Sequence, residues 1–222
     1  MQGPAAMECA QPLPFSTYAS RMSAPSTQLA RSRVVPANEY RRERWRNGAG
    51  WTREIWAEPG EGGEWLWRLS IAEIEQDAPF SRFEGIDRDI VLLSGNGVRL
   101  RFDDGTVHAL EPPHGRLRFP GEAGVQGELI DGPTQDFNLM WRREAIDAQL
   151  WHRPLVGPMV IFADPGTTWA VHLLAGQARF ADDSGMPSLA AGDSALLRAG
   201  DTRLRHVLDG GGEVLLAQLR PR

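Results

Sequence analysis

From Val34 onward, short apolar or alternating runs are broken by Gly, Pro and Asp. The clearest runs cover residues 51–57, 65–74, 90–93, 98–102, 106–110, 116–119, 126–130, 136–142, 159–162, 169–174, 178–180, 194–197, 203–207 and 214–219. Turns such as Ser94-Gly95-Asn96-Gly97, Asp104-Gly105, Asp131-Gly132-Pro133 and Asp209-Gly210-Gly211-Gly212 separate them. Short strands with this punctuation predict an all-β sandwich or barrel. Only residues 143–150 and parts of 72–77 have a pattern that also allows a short helix.

An internal echo refines the picture. Ile90-Val91-Leu92-Leu93-Ser94-Gly95, with a strand ending at Phe102, parallels Val171-His172-Leu173-Leu174-Ala175-Gly176, with a strand ending at Phe180. Phe119-Pro120-Gly121-Glu122 similarly parallels Ala190-Ala191-Gly192-Asp193. Two copies of one β unit predict a duplicated barrel. Residues 1–32, with Pro4, Pro12, Pro14 and Pro25 among small polar residues, read as a disordered leader or a mis-assigned start, Met22 being an alternative initiator.

Composition removes several chemistries. The 222 residues carry 24 basic and 29 acidic side chains, a formal charge of −5, which disfavours nucleic acid as the main ligand. No apolar run is long enough for a membrane helix. Every basic residue is Arg, so a Schiff-base lysine and a P-loop lysine are excluded. Cys9 is the single cysteine, which excludes an internal disulfide and a multi-cysteine metal site.

The Gly176 and Gly192-Asp193 turns resemble those of cupins, small jelly-roll barrels. Trp45-Arg46-Asn47-Gly48-Ala49-Gly50-Trp51-Thr52-Arg53-Glu54-Ile55 resembles the signature Trp-x-Asn-Gly-Gly-Gly-x-Thr-x-Glu-Ile of the HutD (Ves) family, with Ala49 as the one departure. Two further stretches, residues 78–88 and 131–143, are similar to that family, and the resemblance runs from about Arg33 to Arg220. It implies a bicupin: double-stranded β-helix barrels in two repeats, expected at residues 33–145 and 146–222. It also implies a bacterial cytoplasmic protein associated with histidine utilisation, one of whose barrels binds a small pathway metabolite.

Five histidines are present, His108, His114, His152, His172 and His206, and no two are spaced one apart. A metal-dependent cupin usually starts from such a pair, so a metal-free site is expected. His108 and His114 flank a Pro-Pro turn and read as exposed, while His172 reads as a hydrogen-bonded core imidazole, a His172/His206 pair being geometrically allowed. Asn47 and Gly48 are either a type I′ hairpin turn or a loop whose N–H groups approach a ligand carboxylate. Thr52 and Glu54 share one strand face, opposite Arg53 and Ile55. In residues 136–142, Phe137, Leu139 and Trp141 share one face, and Asp136, Asn138, Met140 and Arg142 the other, which points either to solvent or to a polar lumen. In the lumen, Arg142 would pair a carboxylate and Asn138 would supply an amide. Arg68 falls with Leu66 and Ser70, as a buried ion-pair partner of Glu54 or as a ligand contact. Ser81, Arg82 and Arg88 belong to a Gly-containing loop whose plain reading is a surface turn with an Asp87/Arg88 pair.

The leading expectation is a non-catalytic sensor: a metal-free, cofactor-free lumen that holds a small anionic metabolite, urocanate-like or formylated-amino-acid-like. A homodimer is left open, and neither nucleic acid nor membrane is an expected partner. The alternatives are a metal-independent hydrolase or isomerase using Glu54 or Asp136 as general base, and a protein-interaction module presenting some of the eight Trp residues.

Overall fold

A computed structural model describes residues 31–222, and these are all-β, with seventeen strands, three short 3-10 turns and no α-helix. In chain order the strands are β1 (Arg33–Val35), β2 (Arg41–Arg44), β3 (Gly50–Pro59), β4 (Trp65–Ile74), β5 (Ala78–Pro79), β6 (Ile86–Ser94), β7 (Val98–Phe102), β8 (Val107–Leu110) and β9 (Arg116–Pro120). They continue with β10 (Val125–Leu129), β11 (Thr134–Arg142), β12 (Ile146–Val156), β13 (Met159–Ala163), β14 (Thr168–Phe180), β15 (Leu189–Ala190), β16 (Ser194–Arg198) and β17 (Leu204–Pro221). No helix among the described residues is long and apolar enough to cross a membrane.

The chain divides into two compact units, one spanning Arg41–Arg143, the other joining residues 31–40 to Glu144–Arg222. Residues 33–40, expected with the first barrel, therefore belong to the second unit. There β1 pairs with β16, and the Tyr40 hydroxyl donates to the Gly192 carbonyl at 2.7 Å. The expected leader lies outside the described residues except for Arg31 and Ser32. Ser32 is part of the second unit, its hydroxyl donating to the Arg198 carbonyl (3.1 Å) and accepting the Arg198 N–H (2.8 Å).

The first unit consists of a six-stranded antiparallel sheet, β2-β3-β4-β11-β6-β9, and a four-stranded sheet, β5-β10-β7-β8. An apolar cluster joins them: Ile90 and Leu92 of β6 and Phe119 of β9 pack with Val98, Leu100, Leu110 and Val125 of the smaller sheet. This defines the interior face of the larger sheet. Since directly paired residues share a face, Asn138 (paired with Ile90) and Asp136 (paired with Leu92) also point inward.

The second unit is a seven-stranded sheet in which β16, β14, β17 and β12 are neighbours. One face is filled by aliphatic and aromatic side chains, among them Leu155, Val171, Leu173, Phe180, Leu197 and Leu208. Residues 143–150 are not helical. Ile146, Ala148 and Leu150 are buried while Asp147 and Gln149 are less so, a period of two that pairs β12 with β17. Asp209-Gly210-Gly211-Gly212 is likewise no turn but the middle of β17, where the bare glycine backbone lies against β14. A Cβ at Gly212, whose φ is 134°, would sit 1.8 Å from the Ala175 carbonyl oxygen. The two glycine signals of the internal echo thus differ in form: Gly95 and Gly97 turn the chain from one sheet to another, while Gly176 lies inside a continuous strand.

Gly212→Ala is expected to lower stability by roughly 1–3 kcal/mol or more, through overpacking and backbone strain. Gly211→Ala, with open space at its Cβ, should cost clearly less. Urea denaturation of both variants checks this, and equal effects would contradict the close-approach argument.

Candidate functional site

The inward face of the larger sheet can be read as rows of paired residues running across the strands. In one row Arg68 of β4, Met140 of β11 and Arg88 of β6 stand side by side, so two arginines flank one methionine. The next row holds Glu54, Ser70, Asn138 and Ile90, and the one beyond holds Thr52, Ala72, Asp136 and Leu92. A bulge in β3 after Glu54 offsets Arg68 from it by one position. The apolar cluster ends at β6, and from β11 to β3 the same face is polar. Asp136 and Asn138 are buried there, whereas Glu54 and Arg68 keep about a fifth of their side chains in solvent (22% and 17%). The face is therefore sealed on the β6 side and partly open on the β3 side.

Arg88 is the most enclosed cation of this face, with 6% of its surface exposed. Its guanidinium lies 5.2, 5.3 and 5.9 Å from the ring centres of Phe80, Phe119 and Phe83 and donates to the Ser81 carbonyl at 3.3 Å. The rings hold it by cation–π attraction and keep water away. Asp87, the expected partner of Arg88, pairs with Arg143 at 3.0 Å. The Arg68–Glu54 ion pair does form, at 3.0 Å, with Arg41 3.5 Å from the same carboxylate. Burial lowers the Arg68 pKa from its ordinary value, and the Glu54 charge opposes that shift.

Asp136 has no such partner. Its Oδ2 accepts a long hydrogen bond from the Thr134 hydroxyl, 3.4 Å, while its Oδ1 and the Oδ1 of Asn138 are buried without any hydrogen bond among the described residues. Burial lifts the Asp136 carboxyl from 3.8 to about 7, with the Thr134 bond pulling weakly the other way.

Four of the expected site residues lie elsewhere or are committed to other tasks. Arg142 reaches off the end of β11, where its Nε donates to the Trp65 carbonyl at 3.0 Å and its guanidinium pairs with exposed Glu64. It closes the β3–β4 connection and does not enter the lumen. Arg82 is a surface residue paired with exposed Asp103 at 2.6 Å. Asn47 and Gly48 form the β2–β3 turn. The Gly48 N–H donates to the Trp45 carbonyl (3.0 Å) and the Ala49 N–H to the Asn47 side chain (3.0 Å). Within this turn only Gly48 has a positive φ (72°), so the turn is not type I′, which needs two such residues. Thr52 faces inward, and its hydroxyl accepts the Trp45 indole N–H at 2.9 Å, tying that turn to the lumen wall. Nothing in the sequence pattern marks the three phenylalanines around Arg88 as a group, since Phe119 comes from β9 and Phe80 and Phe83 from the segment before β6.

The histidines have their own bonding. His172 is buried in the second unit with Nδ1 2.9 Å from the Ser194 hydroxyl, and the Tyr40 hydroxyl lies 2.7 Å from the same Ser194 oxygen. His206 contacts the Arg198 carbonyl (3.3 Å) and the Ser32 hydroxyl (3.4 Å). His108 is exposed, but His114 is half-buried, with Nδ1 3.1 Å from the Leu92 carbonyl.

A barrel wall with an inward polar stripe, in an all-β chain, defines a cupin-like protein. The HutD family profile matches residues 37–216, so the chain belongs to the HutD family. A solved structure of HutD from Pseudomonas fluorescens SBW25 (formate condition) superposes with a TM-score of 0.75 at 30% identity, covering 86% of this chain and 99% of that one. An uncharacterised 21.2 kDa protein from the hutC 3′ region of Pseudomonas putida is 38% identical over 123 residues, 55% of this chain. Protein Ves of Escherichia fergusonii is 38% identical over 107 residues, 48% of this chain. These two matches span 64% and 56% of the relatives' own lengths.

The Asp136 carboxyl makes a signed prediction. The folded protein keeps this proton up to about pH 7, whereas the unfolded chain releases it near 3.8, so stability falls as pH rises through that window. The fall is roughly 4 kcal/mol at most. Asp136→Asn, neutral throughout, is expected to flatten the dependence and to be the more stable protein above the window. Urea denaturation at both ends of the window measures it, and parallel curves for parent and variant would contradict the assignment.

Proposed function

We propose that this protein is a non-catalytic regulatory protein of histidine utilisation that binds a small carboxylate, urocanate-like or formylated-amino-acid-like, on the interior face of its first barrel without a metal. The observation that carries the reading is the row Arg68–Met140–Arg88, two buried or half-buried guanidiniums on one interior face with Ser70 and Asn138 beside them. A guanidinium shielded from water binds a carboxylate far more strongly than a solvated one, and its planar fork fixes the orientation. Arg88 is the principal anchor, because it is the more deeply buried of the two guanidiniums. The family membership and the hutC 3′ location of one relative support the link to histidine utilisation. The two units are read as two cupin-like repeats of a cytoplasmic protein. The Gly121-Glu122 and Gly192-Asp193 turns support the repeat, and the apolar filling of the second unit supports placing the ligand in the first.

Calorimetry with urocanate and a panel of formylated amino acids tests the reading. At least one is expected to bind, and Arg88→Met should weaken it at least roughly tenfold, the loss of one charged, desolvated pair. Arg142→Ala, whose guanidinium is committed to Glu64, should change affinity less than about twofold. Unchanged affinity in Arg88→Met, in a protein that melts like the parent, would end this proposal.

One observation favours a second reading, a metal-independent hydrolase or isomerase acting on an intermediate of the same pathway. Asp136, with its pKa near 7, has the value a general base needs. Incubation with pathway intermediates separates the two: product formation that disappears in Asp136→Asn supports the enzyme, and binding heat without product supports the sensor.

A further inference from the structure

On the interior face of the first unit, charge and bonding change along β11. The arginine row at Met140 supplies donors. One row on, Asn138 presents a buried amide oxygen, and the next row presents the buried Oδ1 of Asp136, neither accepting a hydrogen bond from any described residue. Both residues lie on the same face of one strand, two positions apart, so their oxygens flank a single stretch of wall about 7 Å long. Asp136 is 1% exposed and Asn138 7%, so bulk water does not bathe either oxygen. A buried acceptor left without a donor keeps its desolvation cost uncompensated.

The neighbours do not relieve this. Across the sheet Asp136 is flanked by Ala72 and Leu92, which carry no side-chain donor, and Thr134 reaches only its other oxygen. Elsewhere in the same sheet the chain treats a buried carboxylate differently. Asp89 is fully buried and receives Arg116 at 2.7 and 2.5 Å and Arg118 at 3.1 and 3.2 Å. The protein thus supplies donors to the carboxylate on the outer face of β6 and withholds them from the one on the inner face of β11.

Resting on the carboxylate reading above, we propose that Asp136 and Asn138 form a second subsite that accepts N–H groups, and that the ligand is therefore a carboxylate carrying an N–H donor a few bonds away, such as an N-acylated amino acid or a protonated nitrogen heterocycle, and not a plain carboxylate or a dicarboxylate. The arginine row takes the anion and the acceptor rows take the N–H. A second carboxylate in these rows would meet acceptor oxygens where it needs a donor and, once Asp136 has ionised above about pH 7, like charge as well. The subsite thus contributes specificity by rejection as well as by attraction.

Three small probes test this on the unmodified protein by calorimetry: N-acetyl-β-alanine, its oxygen isostere 3-acetoxypropanoate, and N-acetyl-β-alanine methyl ester. The isostere replaces one N–H by oxygen at nearly constant shape. N-acetyl-β-alanine is expected to bind roughly ten- to a hundredfold more tightly than 3-acetoxypropanoate. In Asp136→Leu with Asn138→Leu, that preference should fall below about threefold, while the requirement for the free carboxylate persists. Equal affinity for amide and ester acids would overturn this inference and leave the carboxylate reading standing. Binding of the methyl ester as tight as that of the free acid would overturn the carboxylate reading instead. Absence of binding heat for all three would count against both. Should the double variant fail to fold, the comparison of amide with ester on the parent protein still decides.

Discussion

The candidate site depends on one constraint: β11 runs through the middle of a six-stranded sheet and is buried on both faces. Phe137, Leu139 and Trp141 fill one face, which is ordinary for a central strand. The other face is sealed by aliphatic packing only as far as β6, and beyond that the strand must place Asp136, Asn138 and Met140 where water is scarce. Removing a carboxyl from water disfavours its charged form, so the Asp136 pKa rises toward neutrality. A polar side chain held under such conditions is either bonded by its own protein or available to something else.

The arginine-only composition shows how this chain satisfies most of its acids. Asp89 is bonded by Arg116 and Arg118 of the adjacent β9, Glu122 by Arg143 just after β11, and Glu73 by Arg53 of the adjacent β3 and Arg42 of β2. A guanidinium can serve two oxygens at once and stack on an aromatic ring, as Arg118 does over Trp141 at 4.8 Å and Arg42 over Trp51 at 4.1 Å. The exposed pairs among these contribute little to stability. The fully buried Asp89 is different, because losing its arginines would leave a charge with no solvation. With so many cations spread along the strands, it is informative that none of the described ones pairs with Asp136.

Much of the fold was legible from alternation. Alternation gives residues 65–74 and 98–102 as strands with the observed bounds, and it separates the two faces of β11 because their positions differ in polarity. Residues 143–150 misled, since Arg143 and Glu144 precede the run and hide the two-residue period that starts at Ile146. The glycine run at 210–212 misled for another reason: glycine signals either a turn or a close backbone approach, and only the pairing of β17 with β14 decides. Within the site, the Glu54–Arg68 pair was legible from strand parity. Arg142 was not, because parity gives the face a residue points to but not how far along the strand the lumen extends. Arg88 looked like a loop residue, and its Phe cage joins residues 80, 83 and 119, the last supplied by a strand far along the chain.

The buried polar groups of the two units differ in how fully the protein itself bonds them. In the second unit, His172, Ser194 and Tyr40 are buried and bonded to one another, and Tyr40 also donates to a backbone carbonyl. Such a closed network holds strands in register and leaves nothing for a ligand. Asp89 in the first unit is closed in the same way by its arginines. Asp136 and Asn138 are as deeply buried as these groups, yet each retains an acceptor oxygen that no described residue uses. Burial alone therefore does not fix how fully a polar residue is bonded in this protein. What differs among the described residues is the balance between burial and internal bonding, and the interior stripe of β11 holds two buried acceptor oxygens that this balance leaves unsatisfied.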